Sequence, residues 1–167
     1  MAEILTTKRL RLRNLEPEDK DAIYALSCDE NISRYMNWGA ISKDDIVYEI
    51  NKSRNKTFVD NGAYYYGVAY LKSDKLIGEI YLEKRPKYFI LGYAIKTDRQ
   101  GHGYATEIIT AVVKKIADDY GDMNIEAVVD KRNVPSRKLL KKLGFRNNYI
   151  QVEGADFVVY SLFGDLV

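Results

Sequence analysis

Cysteine and histidine are almost missing from this chain, with Cys28 and His102 each standing alone. A single cysteine excludes an intrachain disulfide and a cysteine-based zinc site, and a single histidine weakens other metal readings, so no metal is expected. A surplus of one charge is also lacking. Twenty-six basic against 24 acidic residues leave a net charge of +2, which makes no electrostatic case for nucleic acid or an anionic membrane. No apolar run approaches a membrane span, and the opening MAEILTTKRLRLR has no apolar core of signal-peptide length. A cytoplasmic protein is expected. Repeats, low-complexity tracts and linkers are absent too, so the 167 residues read as one domain, 1–167, with a substantial core.

What is present is ordinary globular composition, 46% hydrophobic and 30% charged. Lys8 to Arg13 alternates leucine with arginine, as a half-exposed strand does. Pro17 fits a first helical turn ahead of the stripe Ala22, Ile23, Ala25 and Leu26. Asn31 to Gly39 (NISRYMNWG) is dense in large side chains. It reads either as a short helix burying Ile32, Tyr35 and Met36, or as a lid presenting Tyr35 or Trp38 to a ligand. Ser42 and Asp45 stand at capping-box spacing before Ile46, Val47 and Ile50. Ala63–Leu71 and Leu76–Leu82 read as a hairpin of aromatic and β-branched strands. Met123–Asp130 and Asp156–Leu162 read as strands, with another beginning at Phe145. Between them, Asn133 can cap a helix that has Pro135 in its first turn and Gly144 as its left-handed end. Strands with interspersed helices give a two- or three-layer α/β domain.

The stretch from Tyr88 to Tyr120 carries most of the chemistry. An apolar strand, Phe89–Ile95, is followed by Gln100, Gly101, His102, Gly103, Tyr104 and Ala105. A helical stripe of Ile108, Ile109, Val112, Val113 and Ile116 comes next. A strand entering a helix through a glycine turn presents unpaired N–H groups at the positive end of the helix dipole, a site suited to phosphate or pyrophosphate. Spacing narrows the options. The dinucleotide fingerprint G-x-G-x-x-G fails because Thr106 follows where its third glycine belongs, and no Gly-Lys-Ser or Gly-Lys-Thr occurs.

Taken together these segments resemble the GNAT N-acetyltransferase superfamily. Gln100-Gly101-His102-Gly103-Tyr104-Ala105 fits its acetyl-CoA signature Q/R-x-x-G-x-G/A. Gly92-Tyr93-Ala94-Ile95, Asn133-x-x-Ser136 with Leu143-Gly144-Phe145, and Thr7-x-Arg9-Leu10-x-Leu12-Arg13-x-Leu15 with Asp19 are similar to the ribosomal-protein and N-terminal (RimJ/RimL-like) branch. The resemblance implies a fold of α/β (α+β) class. Its sheet would be mixed and mostly antiparallel, with six or seven strands splayed at the cofactor groove and flanked by helices. It implies an acetyltransferase moving acetyl from acetyl-CoA to a primary amine, either a protein N-terminus or a small amine, by direct attack on the thioester. A non-catalytic acyl-CoA-binding module of the same fold is the alternative. A homodimer is admitted by symmetry alone.

By the same resemblance, the amides of Gln100 to Thr106, with His102, Gly103, Tyr104 and Ala105 among them, receive the pyrophosphate. A bulged strand at Tyr93, Ala94 and Ile95 pairs with the pantetheine. Asn133 bonds the arm or simply caps its helix. Ser136 donates to the departing thiolate or is simply a polar first-turn residue. The strand before Gly92 has Phe89, Ile90 and Leu91 where many relatives place a glutamate. Glu79 on the neighbouring strand is therefore the substitute base, unless it is a surface carboxylate or water serves instead; Glu83 stands behind it. Tyr35, Trp38 and Tyr81 are the candidate acceptor contacts among 14 tyrosines and one tryptophan, most of which fit half-buried sheet faces.

Overall fold

Alternating leucines in β2 (Leu10–Asn14) and the aromatic and β-branched runs of β3 (Gly62–Tyr70) and β4 (Leu76–Lys84) build the first half of one sheet. The computed structural model describes residues 3–36, 41–54, 56–58, 61–148 and 156–164. The remaining strands are β1 (Glu3–Thr6), β5 (Tyr88–Ile95), β6 (Asn124–Asp130), β7 (Arg146–Asn147) and β8 (Phe157–Leu162). They lie in the order β1-β2-β3-β4-β5-β6-β8-β7, an eight-stranded sheet rather than one of six or seven. The additional strand is β1, which folds back on β2 ahead of the alternating stretch. Among the described residues β5 and β6 form the one parallel pair, and all other neighbours are antiparallel.

Helices cover the sheet on two sides. On one, Ile108, Ile109, Val112 and Ile116 of α4 (Tyr104–Tyr120) and Leu140 of α5 (Val134–Lys142) pack on Leu10, Val68, Ile80, Leu82 and Leu91. On the other, α1 (Lys20–Cys28) and α3 (Lys43–Ser53) bury Ile23, Ile46 and Ile50 against Leu15 and Leu76. The short α2 (Glu30–Ser33) adds Ile32, packed with Leu26 and Ala94. Each of these apolar stripes follows the helical period seen in sequence. The capping box at Ser42 forms with aspartate in the usual glutamate position: Ser42 Oγ accepts from Asp45 N and the Asp45 carboxylate accepts from Ser42 N.

Two expectations need correction. The alternation from Lys8 to Arg13 holds for buried Leu10 and Leu12 against exposed Arg9 and half-buried Arg11, but Arg13 breaks it: its side chain is buried at 3% exposure, held by Asp19 at 2.6 Å and by Asp74 at 3.1 Å. Its paired carboxylates make that burial tolerable, and they come from segments an alternation pattern cannot see. β5 does not bulge. Its register with β4 runs unbroken from Gly78–Ile95 to Lys84–Phe89, and the irregularity lies one pair away, between β3 and β4 after Val68. Gly78 allows this close β4–β5 approach, since a Cβ there would collide with the Ala94 carbonyl and the Ile95 side chain.

Candidate active site

β5 and β6 pair only from Tyr88–Asn124 to Ile90–Glu126. Beyond that point β6 continues with β8, while among the described residues the half of β5 from Leu91 to Ile95 has no strand on its outer edge. A groove of about 640 Å³ opens where the strands part. One wall is the end of β5 (Tyr93, Ala94, Ile95), and the loop and helix start from Gln100 to Thr106, without His102, form another. Asn133, Pro135, Ser136 and Leu139 of α5 face them, and Asn31, Ile32, Arg34, Tyr35 and Met36 close the far end.

The glycine loop has the form an anion site needs. Gly101 and Gly103 lie in the left-handed region at φ 76° and 78°, a conformation that disfavours side chains. Space at Gly101 is open, with nothing within 4 Å of where a Cβ would stand. The first backbone bond of α4 is Glu107 N to Gly103 O. Among the described residues no N–H from Gly101 through Thr106 donates to protein, so a run of donors stays available at the helix start. Glu107 fastens this turn to the β1–β2 connection. Its carboxylate accepts from Thr7 Oγ1 at 2.6 Å and Arg9 Nε at 2.6 Å, and Arg9 Nη1 donates to the His102 carbonyl. Desolvation acts to raise the Glu107 pKa, but the Thr7 and Arg9 bonds outweigh it and the result lies below the ordinary value.

Individual side chains divide between groove and scaffold. Gln100 turns its amide back to the Ile95 carbonyl at 2.9 Å, locking the loop to the strand end. His102 does not line the groove; its Nδ1 lies 2.8 Å from the Gln100 carbonyl and its ring stacks on Tyr104. Asn133 Oδ1 accepts from Ser136 N at 3.2 Å, so it caps α5 while facing the groove. Ser136 Oγ meets the Tyr93 hydroxyl at 2.7 Å, a contact joining residues 43 positions apart across the groove. Burial pushes the Tyr93 hydroxyl up to about 12, against the opposing effect of the Ser136 bond.

Glu79 sits beside this groove rather than in its wall. Directly opposed residues of antiparallel strands share a face, so its partners Gly67 and Ala94 place it on the side covered by α1–α3. It is partly buried, it has no hydrogen bond or ion pair among the described residues, and desolvation raises its carboxyl to about 7. A solvated surface carboxylate would show none of this. Glu83 is committed elsewhere, accepting from the Tyr81 hydroxyl at 2.8 Å and pairing with Arg85 at 2.6 Å. Tyr81 packs on Tyr65 at 5.0 Å between ring centres and does not reach the groove lining. Tyr35 does line it, and Trp38 lies outside the described residues.

The short helix with Ile32, Tyr35 and Met36 is expected from sequence, but its tie to the loop after β5 is not. Asp29 caps α2 through Asn31 N and accepts from Thr97 Oγ1 at 2.6 Å, tying α2 to the loop after β5. That Thr97 bond is the main reason its carboxyl lies below the ordinary value. Arg34, with its guanidinium over the Tyr35 ring at 5.7 Å, and Arg99 add positive charge to the lining. Among the described residues no cluster of three or more metal-ligating side chains occurs, and no helix is long and apolar enough to cross a membrane.

A sheet parting beside a glycine-bearing helix start is what the acetyltransferase resemblance implies, and comparison with known proteins agrees. The chain belongs to the acetyltransferase (GNAT) domain family, which matches residues 9–146, and it is an acetyltransferase of that type. It is 30% identical to the uncharacterized N-acetyltransferase YnaD of Bacillus subtilis, over 85% of this chain and 82% of that one. Among solved structures, spermidine N-acetyltransferase from Vibrio cholerae, in complex with CoA and spermine, superposes with a TM-score of 0.80. The identity is 22%, over 95% of this chain and 98% of that one. RimL, a ribosomal L7/L12 alpha-N-protein acetyltransferase in complex with coenzyme A, gives a TM-score of 0.81. The identity is 14%, over 99% and 100% of the two chains. At such identities these two structures speak for the fold alone.

Proposed function

We propose that the protein transfers acetyl from acetyl-CoA to a primary amine, a protein N-terminus or a small amine, by direct attack on the thioester. The observation that carries this reading is the free outer edge of β5 lying directly beside the unfilled N–H groups of 101–106. An extended amide arm ending in a pyrophosphate matches both at once: the arm adds to the strand edge at Tyr93–Ile95 and the anion takes the helix start. Asn133 and Ser136 then lie on the opposite side of that arm.

In this account the neutral amine attacks the thioester carbonyl, the carbon–sulfur bond breaks and sulfur leaves with the electron pair. Ser136 donates a hydrogen bond to that sulfur. The proton released by the amine passes through water to Glu79 beside the groove, a carboxylate poised near neutral pH by desolvation. Tyr35 borders the acceptor end, Trp38 is a further candidate from sequence, and Tyr81 is set aside because it packs on Tyr65 away from the groove. The sequence motifs favour a ribosomal-protein or other N-terminal amine, and the likeness in fold to RimL is compatible with that choice. Acetyl-CoA is the donor, consistent with the CoA complexes of the two structural neighbours. No observation favours the non-catalytic alternative. Thiol release should be followed with N-terminal peptides, polyamines and aminoglycosides as acceptors. Turnover with one class supports the reading, and none above solvent hydrolysis with any class contradicts it.

A further inference from the structure

The hydroxyl pair at the centre of the groove has a direction. Tyr93 Oη and Ser136 Oγ lie 2.7 Å apart, and either could in principle donate. Three observations choose between them. A phenol is the more acidic hydroxyl and so the better donor, while an aliphatic hydroxyl is the better acceptor. Tyr93 stays protonated throughout the neutral range, because burial holds its hydroxyl at about 12. Both hydroxyls border the groove, and among the described residues the Tyr93 proton has no acceptor but Ser136 Oγ while the Tyr93 ring packs against the core. If Ser136 donated to Tyr93, the phenolic proton would be left without a partner in a half-buried site.

We infer that Tyr93 is a positioning residue: its hydroxyl donates to Ser136 Oγ and so turns the Ser136 proton toward the sulfur of the bound thiol. This rests on the proposed acetyl-CoA reading and adds to it. A serine hydroxyl rotates freely, and an unrestrained rotor would spend much of its time aimed elsewhere. Accepting from Tyr93 fixes the rotor and polarises its O–H, since hydrogen bonds in a chain strengthen one another. No net proton transfer is required of either hydroxyl. The departing sulfur is stabilised as thiolate by the Ser136 hydrogen bond and takes its proton afterwards from solvent. Tyr93 otherwise packs its ring against the core under β5, so Tyr93→Phe removes the hydroxyl and keeps the packing.

The test compares binding of CoA with binding of desulfo-CoA, by calorimetry from pH 7 to 9.5, in the wild type, Tyr93→Phe and Ser136→Ala. A donor aimed at sulfur favours thiolate, so the wild type should prefer CoA increasingly as pH rises, by roughly tenfold for a charge-assisted bond of ordinary strength. Both variants should lose that pH-dependent preference while binding desulfo-CoA as the wild type does, and the double variant should lose no more than Ser136→Ala. A Tyr93→Phe protein that keeps the wild-type preference overturns the positioning role and leaves the acetyl-CoA reading intact. A wild-type preference that is flat with pH overturns it as well. Failure of the wild type to bind either compound overturns the acetyl-CoA reading and this inference with it.

Discussion

Glu79→Gln tests the partly buried, desolvated carboxylate through stability as well as rate. Burial disfavours the ionised form and raises the folded-state pKa from the ordinary 4.5 to about 7. The sign follows from proton linkage. Between those values the unfolded chain has released its proton while the folded chain still holds it, so stability falls as pH rises through this window. The full penalty stands above about pH 7. At ~1.4 kcal/mol per pH unit, the ionised carboxylate costs about 3 kcal/mol at pH 8 and about 1 kcal/mol at pH 5. Glutamine has nearly the same shape and no charge, so Glu79→Gln should stabilise the fold by about 2 kcal/mol more at pH 8 than at pH 5. Urea unfolding of both proteins at the two pH values measures this directly. The wild-type kcat/KM should rise with pH through about 7 as Glu79 ionises, and the variant should lose that rise along with ~100-fold in rate. Equal stability differences at pH 5 and pH 8 would refute the desolvated carboxylate. An unchanged pH–rate profile would refute its use as the base.

Two further perturbations address the scaffold and the loop. Asp19→Ala leaves Arg13 buried with only Asp74 as a carboxylate partner, and should cost about 3 kcal/mol in urea unfolding; a loss below ~1 kcal/mol would show that the pair is not needed. Gly103→Trp should raise the acetyl-CoA Kd at least tenfold by calorimetry, because an indole would stand among the loop amides. Unchanged affinity in a folded variant would remove the loop from the binding site.

Local chemistry was the part of this molecule that sequence exposed. The helix α4 begins at Tyr104 and ends at Tyr120 before Gly121, and α5 starts after Asn133, all marked by capping residues and apolar period. The groove contacts from Tyr93, Gln100 to Thr106, Asn133 and Ser136 follow from the same motifs, apart from His102, whose ring folds onto its own loop. What was hidden depends on pairs distant along the chain. Arg13 looks like an exposed strand residue until Asp19 and Asp74 are brought to it. The α2 wall owes its place to Thr97 binding Asp29, 68 residues earlier, and Tyr93 reveals no side-chain role until Ser136 crosses the groove. Glu79 is similar: sequence offers it either as the base or as a surface carboxylate, and its desolvation shows only once its strand partners Gly67 and Ala94 place it under the helices.

A crystal structure of the protein with CoA is the most direct measurement of the central claim. The account predicts the pyrophosphate on the amides of 101–106, the pantetheine alongside Tyr93–Ile95, and the sulfur within hydrogen-bond distance of Ser136 Oγ. CoA bound away from the parting of β5 and β6, or with its sulfur remote from Ser136, would contradict it.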